Sequence, residues 1–179
     1  TKSTVAGVGP AGHSPDGSIA ATSPLSNPRP LAIGPNGDLI FQDRREDQTT
    51  AIRKIAADGT LLTIAQGDFE LSGMDVGREG TIYGTDAWNN RVLAISPGGQ
   101  IRTIAGGKKN SDGIFIYGFA GDGGPATDAE LATPWDVAAA PDGSIVIADR
   151  GNARIRRISP NGIIRTLAGN GAFFPAAQD

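Results

Sequence analysis

The chain has 179 residues, with 16 Lys+Arg against 19 Asp+Glu, one His, no Cys and a formal net charge of −3. That length suits one domain with a sizeable core, and the mild acidity argues against a broadly basic nucleic-acid or membrane-binding face. The lack of cysteine excludes a disulfide framework, Cys-ligated zinc and a thiol nucleophile.

In chain order, the first element is Ser3-Thr-Val-Ala-Gly7, which matches Arg102-Thr-Ile-Ala-Gly106 and Arg165-Thr-Leu-Ala-Gly169. It reads as the outer strand, within residues 1–9, of a repeat that begins elsewhere. A linker with Asp16-Gly17, Ala20-Ala-Thr22, Leu25 and Pro28 follows. The first full repeat covers 30–67, with Leu39-Ile-Phe-Gln-Asp43, Ala51-Ile-Arg-Lys-Ile55 and Leu61-Leu-Thr-Ile-Ala65. The second covers 71–107, with Ile82-Tyr-Gly-Thr-Asp86, Asn90-Arg-Val-Leu-Ala-Ile95 and the Ile101–Gly106 run. An insertion over 108–133 contains Gly121-Asp-Gly-Gly-Pro-Ala-Thr127 and one helical turn near Thr127–Leu131. The third repeat covers 134–171, with Ile145-Val-Ile-Ala-Asp149, Ala153-Arg-Ile-Arg-Arg-Ile158 and the Ile164–Gly169 run. Asp43 and Asp86 lie 43 residues apart and Asp86 and Asp149 lie 63 apart, so the extra 20 fall in the insertion.

Each repeat reads as four short strands rich in Ile and Val, divided by Asn-Gly, Asp-Gly or Gly-Gly. Those dipeptides supply the positive φ that tight hairpins need. Four-stranded units recurring about every 40 residues indicate an all-β fold of propeller blades, each of four antiparallel strands. Here there are three blades plus one orphan outer strand, an open arc or a ring completed by self-assembly.

The run from Trp135-Asp-Val-Ala through Asp142-Gly-Ser-Ile-Val-Ile-Ala-Asp149 and Asn152-Ala-Arg154 to Ile158 resembles the NHL repeat family. Gly121-Asp-Gly-Gly-Pro-Ala-Thr127 is similar to the linker of its bacterial members. The resemblance implies a propeller and leaves function open, because such propellers serve as enzymes, sensors and binding modules.

Asp43, Asp86 and Asp149 close the second strand of every repeat, with Arg91 and Arg154 shortly after, and repetition marks them as turn residues that accept backbone N–H groups and pair with the arginine. Asp75 and Asp136 precede the apolar part of two innermost strands, where Pro30 stands in the first repeat. Facing each other across the channel mouth, they would suit Ca2+ or Mg2+; no other cofactor is expected. The loops of one face gather Arg29, Arg44, Arg45, Glu46, Asp47, Trp88, Asn89, Tyr117, Trp135 and Arg150. Of these, Arg29, Trp88, Asn89, Tyr117, Trp135 and Arg150 are the expected ligand or partner face, since exposed aromatics and arginines on loops are favoured anchors.

The lone His13 cannot supply the several histidines on which NHL-like lyases depend, and no nucleophile elbow is present. Arginines in the last repeat are balanced by Asp128, Glu130, Asp136, Asp142 and Asp149, which argues against nucleic acid. The expected function is a noncatalytic protein- or ligand-binding propeller, part of a larger bacterial sensor or secreted protein in an extracytoplasmic setting. The alternative is a metal-dependent hydrolase or lyase whose other site residues lie on missing blades. Apolar faces left open at the two ends of the arc imply self-association or association with the remaining blades.

Overall fold

Six hairpin turns of one construction organise the chain in the computed structural model, which describes residues 3–44 and 49–172. The glycines at their third positions, Gly37, Gly59, Gly80, Gly99, Gly143 and Gly162, all take φ between +77° and +83°. In each turn that glycine donates its N–H to the carbonyl of the residue before the turn, whose own N–H bonds across to the returning strand. A side chain there would be strained in the left-handed region, which is why every turn ends in glycine.

The turns join strands in sequence order into three antiparallel sheets. The first holds β1 (Leu31–Ile33), β2 (Leu39–Arg44), β3 (Thr50–Ile55) and β4 (Leu61–Gly67). The second holds β5 (Leu71–Val76), β6 (Ile82–Asp86), β7 (Arg91–Ile95) and β8 (Ile101–Gly106). The third holds β9 (Pro134–Ala139), β10 (Ile145–Asp149), β11 (Arg154–Ile158) and β12 (Ile164–Ala168). The first strands neighbour one another, β1 beside β5 and β5 beside β9, so the sheets fan out from a common edge as propeller blades do. A Cβ at Gly73 would collide with Asp136 and lie 2.8 Å from the Trp135 carbonyl, so this glycine lets β5 and β9 approach closely.

Apolar residues fill the gaps between blades. Ile40, Ile52 and Ala65 of the first sheet meet Leu71, Ile82, Leu93 and Ile95 of the second, with Phe69 wedged between. Val92 and Ala105 of the second meet Val137, Ile145, Ile147 and Ile158 of the third, with Ala126, Ala129 and Leu131 wedged between. Each fully buried side chain of this kind contributes about 1.5–3 kcal/mol. At the two ends single apolar residues of the corresponding faces stay exposed, Leu31 and Ile33 on one side and Ile155 and Leu167 on the other.

Residues 3–9, expected as an orphan outer strand, form no strand. A strand needs a partner ladder, and none lies beside them among the described residues. Ala6 instead packs with Leu25 against Ala20, Phe41, Ile55 and Leu61, so this stretch lies over the first sheet's outward face.

The two Asp-Gly linkers dock alike. Gly17 and Ala20 donate their N–H groups to Leu61 and Gly59 carbonyls at 2.8 and 2.9 Å, and Gly123 and Ala126 do the same to Ile164 and Gly162 at 2.8 Å. Short 3-10 turns follow at Ala20–Thr22 and Ala126–Asp128, where the sequence indicated a helical turn only in the second. Asp16 reaches the buried Arg53 at 3.4 Å and accepts from Thr63 Oγ1 at 2.8 Å, while Asp122 pairs with the buried Arg156 at 2.6 Å and accepts from Thr166 N–H at 2.9 Å. Register places Leu93 where the other sheets have Arg53 and Arg156, and the second blade has no Asp-Gly linker to hold.

Candidate functional site

Two of the three strand-ending aspartates tie their blades to the lead-in segments, and the third pairs within the adjoining hairpin as expected. Asp43 Oδ1 accepts the Ser26 N–H at 2.8 Å, and Asp149 Oδ1 accepts the Ala132 N–H at 2.9 Å. Asp86, whose blade follows a short connection, accepts from Asn89 Nδ2 at 2.8 Å and Arg91 Nε at 2.9 Å. Arg154 departs from the expected pairing: it donates to the Asn152 and Asn170 carbonyls, both at 2.9 Å. Arg156 is the residue that reaches Asp149, at 3.4 Å. Burial raises the Asp43 and Asp149 carboxyls above the ordinary value, outweighing their hydrogen bonds and the nearby arginines. At Asp122 burial also pushes upward, but hydrogen bonds from Thr166 and Arg156 prevail and hold it below the ordinary value.

Asp75 and Asp136 are not level with each other. Register pairs Asp75 with Tyr83 and Asp136 with Ala148, which sets Asp136 beside the level of Gly73 and Asp75 at the level of Ala138. Asp75 Oδ1 accepts the Val76 N–H and Oδ2 the Ala139 N–H, both at 2.8 Å, so its carboxylate bridges the second and third blades. Asp136 Oδ1 accepts the Val137 N–H at 2.9 Å. Matching the two Asp-Val pairs set the aspartates together, but counted back from the equivalent turn glycines Gly80 and Gly143, Asp136 falls at Gly73, two residues before Asp75. Among the described residues no three His, Asp or Glu side chains gather as a metal would require.

The loop face does converge. Arg29, Trp88, Tyr117 and Trp135 line one cleft of about 730 Å³, together with Pro30, Glu70, Ser72 and Asn90. Arg29, Ser72 and Trp135 hold one structural position, two residues before the equivalent Leu31, Met74 and Val137 at the start of the innermost strand of each blade. Trp88 sits at the tip of the β6–β7 hairpin, and its neighbour Asn89 lines an adjoining polar hollow with Asp68 and Asp86. The aromatic walls face solvent: Trp88 is 81% exposed, Tyr117 76% and Trp135 51%. Arg150 lies outside the cleft but stacks on Trp135, its guanidinium 5.0 Å from the ring centre. Arg29 forms an ion pair with Glu70, so the charges in the cleft largely cancel. Arg45, Glu46 and Asp47 lie outside the described residues.

Tyr117 is held over the cleft by the insertion, which does not tuck into the channel. Lys109 and Phe115 pair in a small hairpin, with Asn110 Oδ1 accepting the Asp112 and Ile114 N–H groups at 3.0 and 2.9 Å. Phe115 stacks under Arg91 and Phe119 under Arg154, the equivalent first residues of β7 and β11, at 5.7 and 3.7 Å. Asn152 Nδ2 adds a bond to the Gly118 carbonyl at 2.6 Å. Sequence reasoning placed the insertion on this face and matched Arg91 with Arg154, but missed these two stacks, since nothing local says which phenylalanine lies against which arginine.

Among the described residues no helix is long and apolar enough to cross a membrane. Solved structures of similar shape include a gluconolactonase from Xanthomonas campestris, with TM-score 0.55, 15% identity and coverage of 79% of this chain and 47% of that one. The calcium-binding protein regucalcin from Agrobacterium tumefaciens gives TM-score 0.51 and 16% identity over 79% of this chain and 44% of that one. At these identities the likeness shows the propeller fold alone. In sequence, Teneurin-1 of Mus musculus is 41% identical over 75 residues, 40% of this chain and 3% of that protein. Teneurin-m of Drosophila melanogaster is 28% identical over 163 residues, 82% of this chain and 6% of that protein. The chain therefore spans a few per cent of the length of these relatives, which are animal proteins, and the bacterial origin suggested by its linker gains no support from them. The profile of the Teneurin NHL domain matches residues 69–159, and the chain belongs to that family.

Proposed function

We propose that the chain is a noncatalytic interaction module that holds a segment of a partner protein in the cleft between Trp88, Tyr117 and Trp135. The observation that carries this reading is the convergence of three exposed aromatic side chains, from a hairpin tip, the insertion and the start of β9, on one cleft of about 730 Å³. Isolated exposed aromatics need no explanation, but a cluster lining a concavity supplies contact area at little entropic cost, as binding surfaces do. The mutual cancellation of Arg29 and Glu70 favours a partner segment without high charge. Membership of the Teneurin NHL family is in keeping with a binding role.

Panning a displayed peptide library against the 179-residue chain tests the proposal. Enriched peptides should lose at least tenfold in affinity for Trp88→Ala and for Tyr117→Ala, while both variants keep the parent's far-ultraviolet circular dichroism and melting temperature. Peptides that bind the variants as tightly as the parent would place recognition elsewhere and overturn the proposal.

A further inference from the structure

Asn90 lines the aromatic cleft, is only 8% exposed, and is held at both of its carbonyl groups. Its side-chain Oδ1 accepts the Thr133 N–H at 2.8 Å, and its main-chain carbonyl accepts the Gly107 N–H at 3.0 Å. With Oδ1 committed in this way, the amide Nδ2 carries two donors that meet no acceptor among the described residues, and the nitrogen stays open to the cleft instead of being sealed in the core. The turn does not require this amide. Ala153 holds the same place in the third blade with φ +49°, against +48° at Asn90.

The rest of the lining is similarly one-sided. Among the described residues Trp88 and Trp135 make no hydrogen bond through their indole N–H groups, nor Tyr117 through its hydroxyl. On the acceptor side, Asn90 Oδ1 is taken by Thr133 and Glu70 by Arg29. The other side-chain oxygens belong to the Ser72, Thr133 and Tyr117 hydroxyls, which donate as readily as they accept. The cleft therefore presents flat apolar rings, spare donors and charges that cancel.

We propose that its occupant is a proline-rich segment in the polyproline II conformation, one of whose carbonyls accepts from Asn90 Nδ2 while its rings lie against Trp88, Tyr117 and Trp135. Each proline brings a carbonyl acceptor and no N–H, so the segment asks for donors and for no acceptor. An ordinary extended segment would carry N–H groups into a cleft whose side chains offer them little to pair with, at the usual cost of an unsatisfied donor. Proline rings are apolar and uncharged, in keeping with the cancellation of Arg29 and Glu70. A polyproline II helix is also extended before it binds, so little conformational entropy is lost on an aromatic surface. This inference rests on the binding reading above and names the chemistry of its ligand.

Acetylated and amidated decaproline, titrated into the 179-residue chain by calorimetry and followed by tryptophan emission, tests the proposal. Saturable binding is expected, and the same peptide made of D-proline should bind at least tenfold more weakly, because its helix has the opposite hand. Asn90→Asp keeps an oxygen for the Thr133 N–H and a residue suited to the left-handed turn, but sets an acceptor where the donor stood. It should weaken decaproline binding at least tenfold. Trp88→Ala, at a side chain 81% exposed, should do the same without moving the melting temperature. Lack of binding at millimolar decaproline, equal binding of the two enantiomers, or undiminished binding to Asn90→Asp or to Trp88→Ala would each overturn the inference. Panned peptides that need Trp88 and Tyr117 but contain no proline, found beside a failed decaproline titration, would remove this ligand and leave the cleft proposal in place.

Discussion

Replacing Arg156 with leucine installs in the third blade the residue that the second already has at that position, Leu93. The two environments differ. Arg156 is fully buried and donates to Asp122, to Asp149 at 3.4 Å, and to the Glu130 and Ala120 carbonyls at 2.7 and 3.0 Å. Leucine leaves Asp149, itself fully buried, without its cation, and releases the linker that Asp122 anchors. Removing one partner of a buried ion pair costs about 3–5 kcal/mol. Asp149 keeps its bonds from Ala132 and Asn152, which moderates the loss, while the two abandoned carbonyls increase it. We expect about 4 kcal/mol in total, which at about 2–4 °C per kcal/mol for a chain of this size lowers the melting temperature by roughly 8–16 °C. Arg53→Leu should cost less, about 1–2 kcal/mol. Arg53 reaches Asp16 at 3.4 Å and Asp43 at 3.9 Å, and its Nε and Nη1 make no hydrogen bond. Urea titration and calorimetry of both variants make the comparison. Equal losses in the two blades, or an Arg156→Leu protein within about 1 kcal/mol of the parent, would refute the idea that the linker is held through this side chain.

Gly106→Ala should be far more damaging than Gly37→Ala. Both residues have positive φ, but a Cβ at Gly106 collides with the Asn90 carbonyl whereas Gly37 faces open space. About 1–2 kcal/mol is expected at Gly37 from the left-handed backbone alone, and calorimetry should show a clear excess at Gly106. Asp122 titrates below the ordinary value of 3.8, so the stability it supplies is present above that pH and is lost as pH falls through and below it. The melting-temperature gap between the parent and Asp122→Asn should accordingly be widest near neutrality and narrow below pH 3.8. Asp75→Ala should destabilise the contact between the second and third blades by about 1–3 kcal/mol through the unpaired Ala139 N–H, with or without added calcium. A loss that appears only when calcium is present would instead make Asp75 a metal ligand.

How much of this was legible in the sequence follows from how local each feature is. The hairpins were readable because Asn36-Gly37, Asp58-Gly59 and Asp142-Gly143 carry their backbone requirement in the residue pair itself. The blades were readable because the repeat copies its apolar pattern. The members of the cleft were readable too, since Trp88 and Tyr117 fall in loops, and Trp135 at the strand start, that a propeller gathers on one face. Relationships between blades were hidden. Nothing local says that Arg156 rather than Arg154 meets Asp149, or that Asp43 and Asp149 serve their lead-in segments, although a count back from Gly80 and Gly143 does set Asp136 level with Gly73. The Ser3–Gly7 run repeats a strand sequence faithfully, yet pairing, not sequence, makes a strand, and its ladder partner is not among the described residues.

The two arginine–phenylalanine stacks fasten both feet of the 108–119 excursion to blades that do not depend on what lies between them. Its apex, Asn110 to Ile114, touches solvent throughout and contributes nothing to the cores. The apex is therefore a natural graft point: an epitope, a fluorophore-bearing cysteine or a randomised stretch inserted there would be displayed beside the aromatic cleft without taxing the scaffold that presents it.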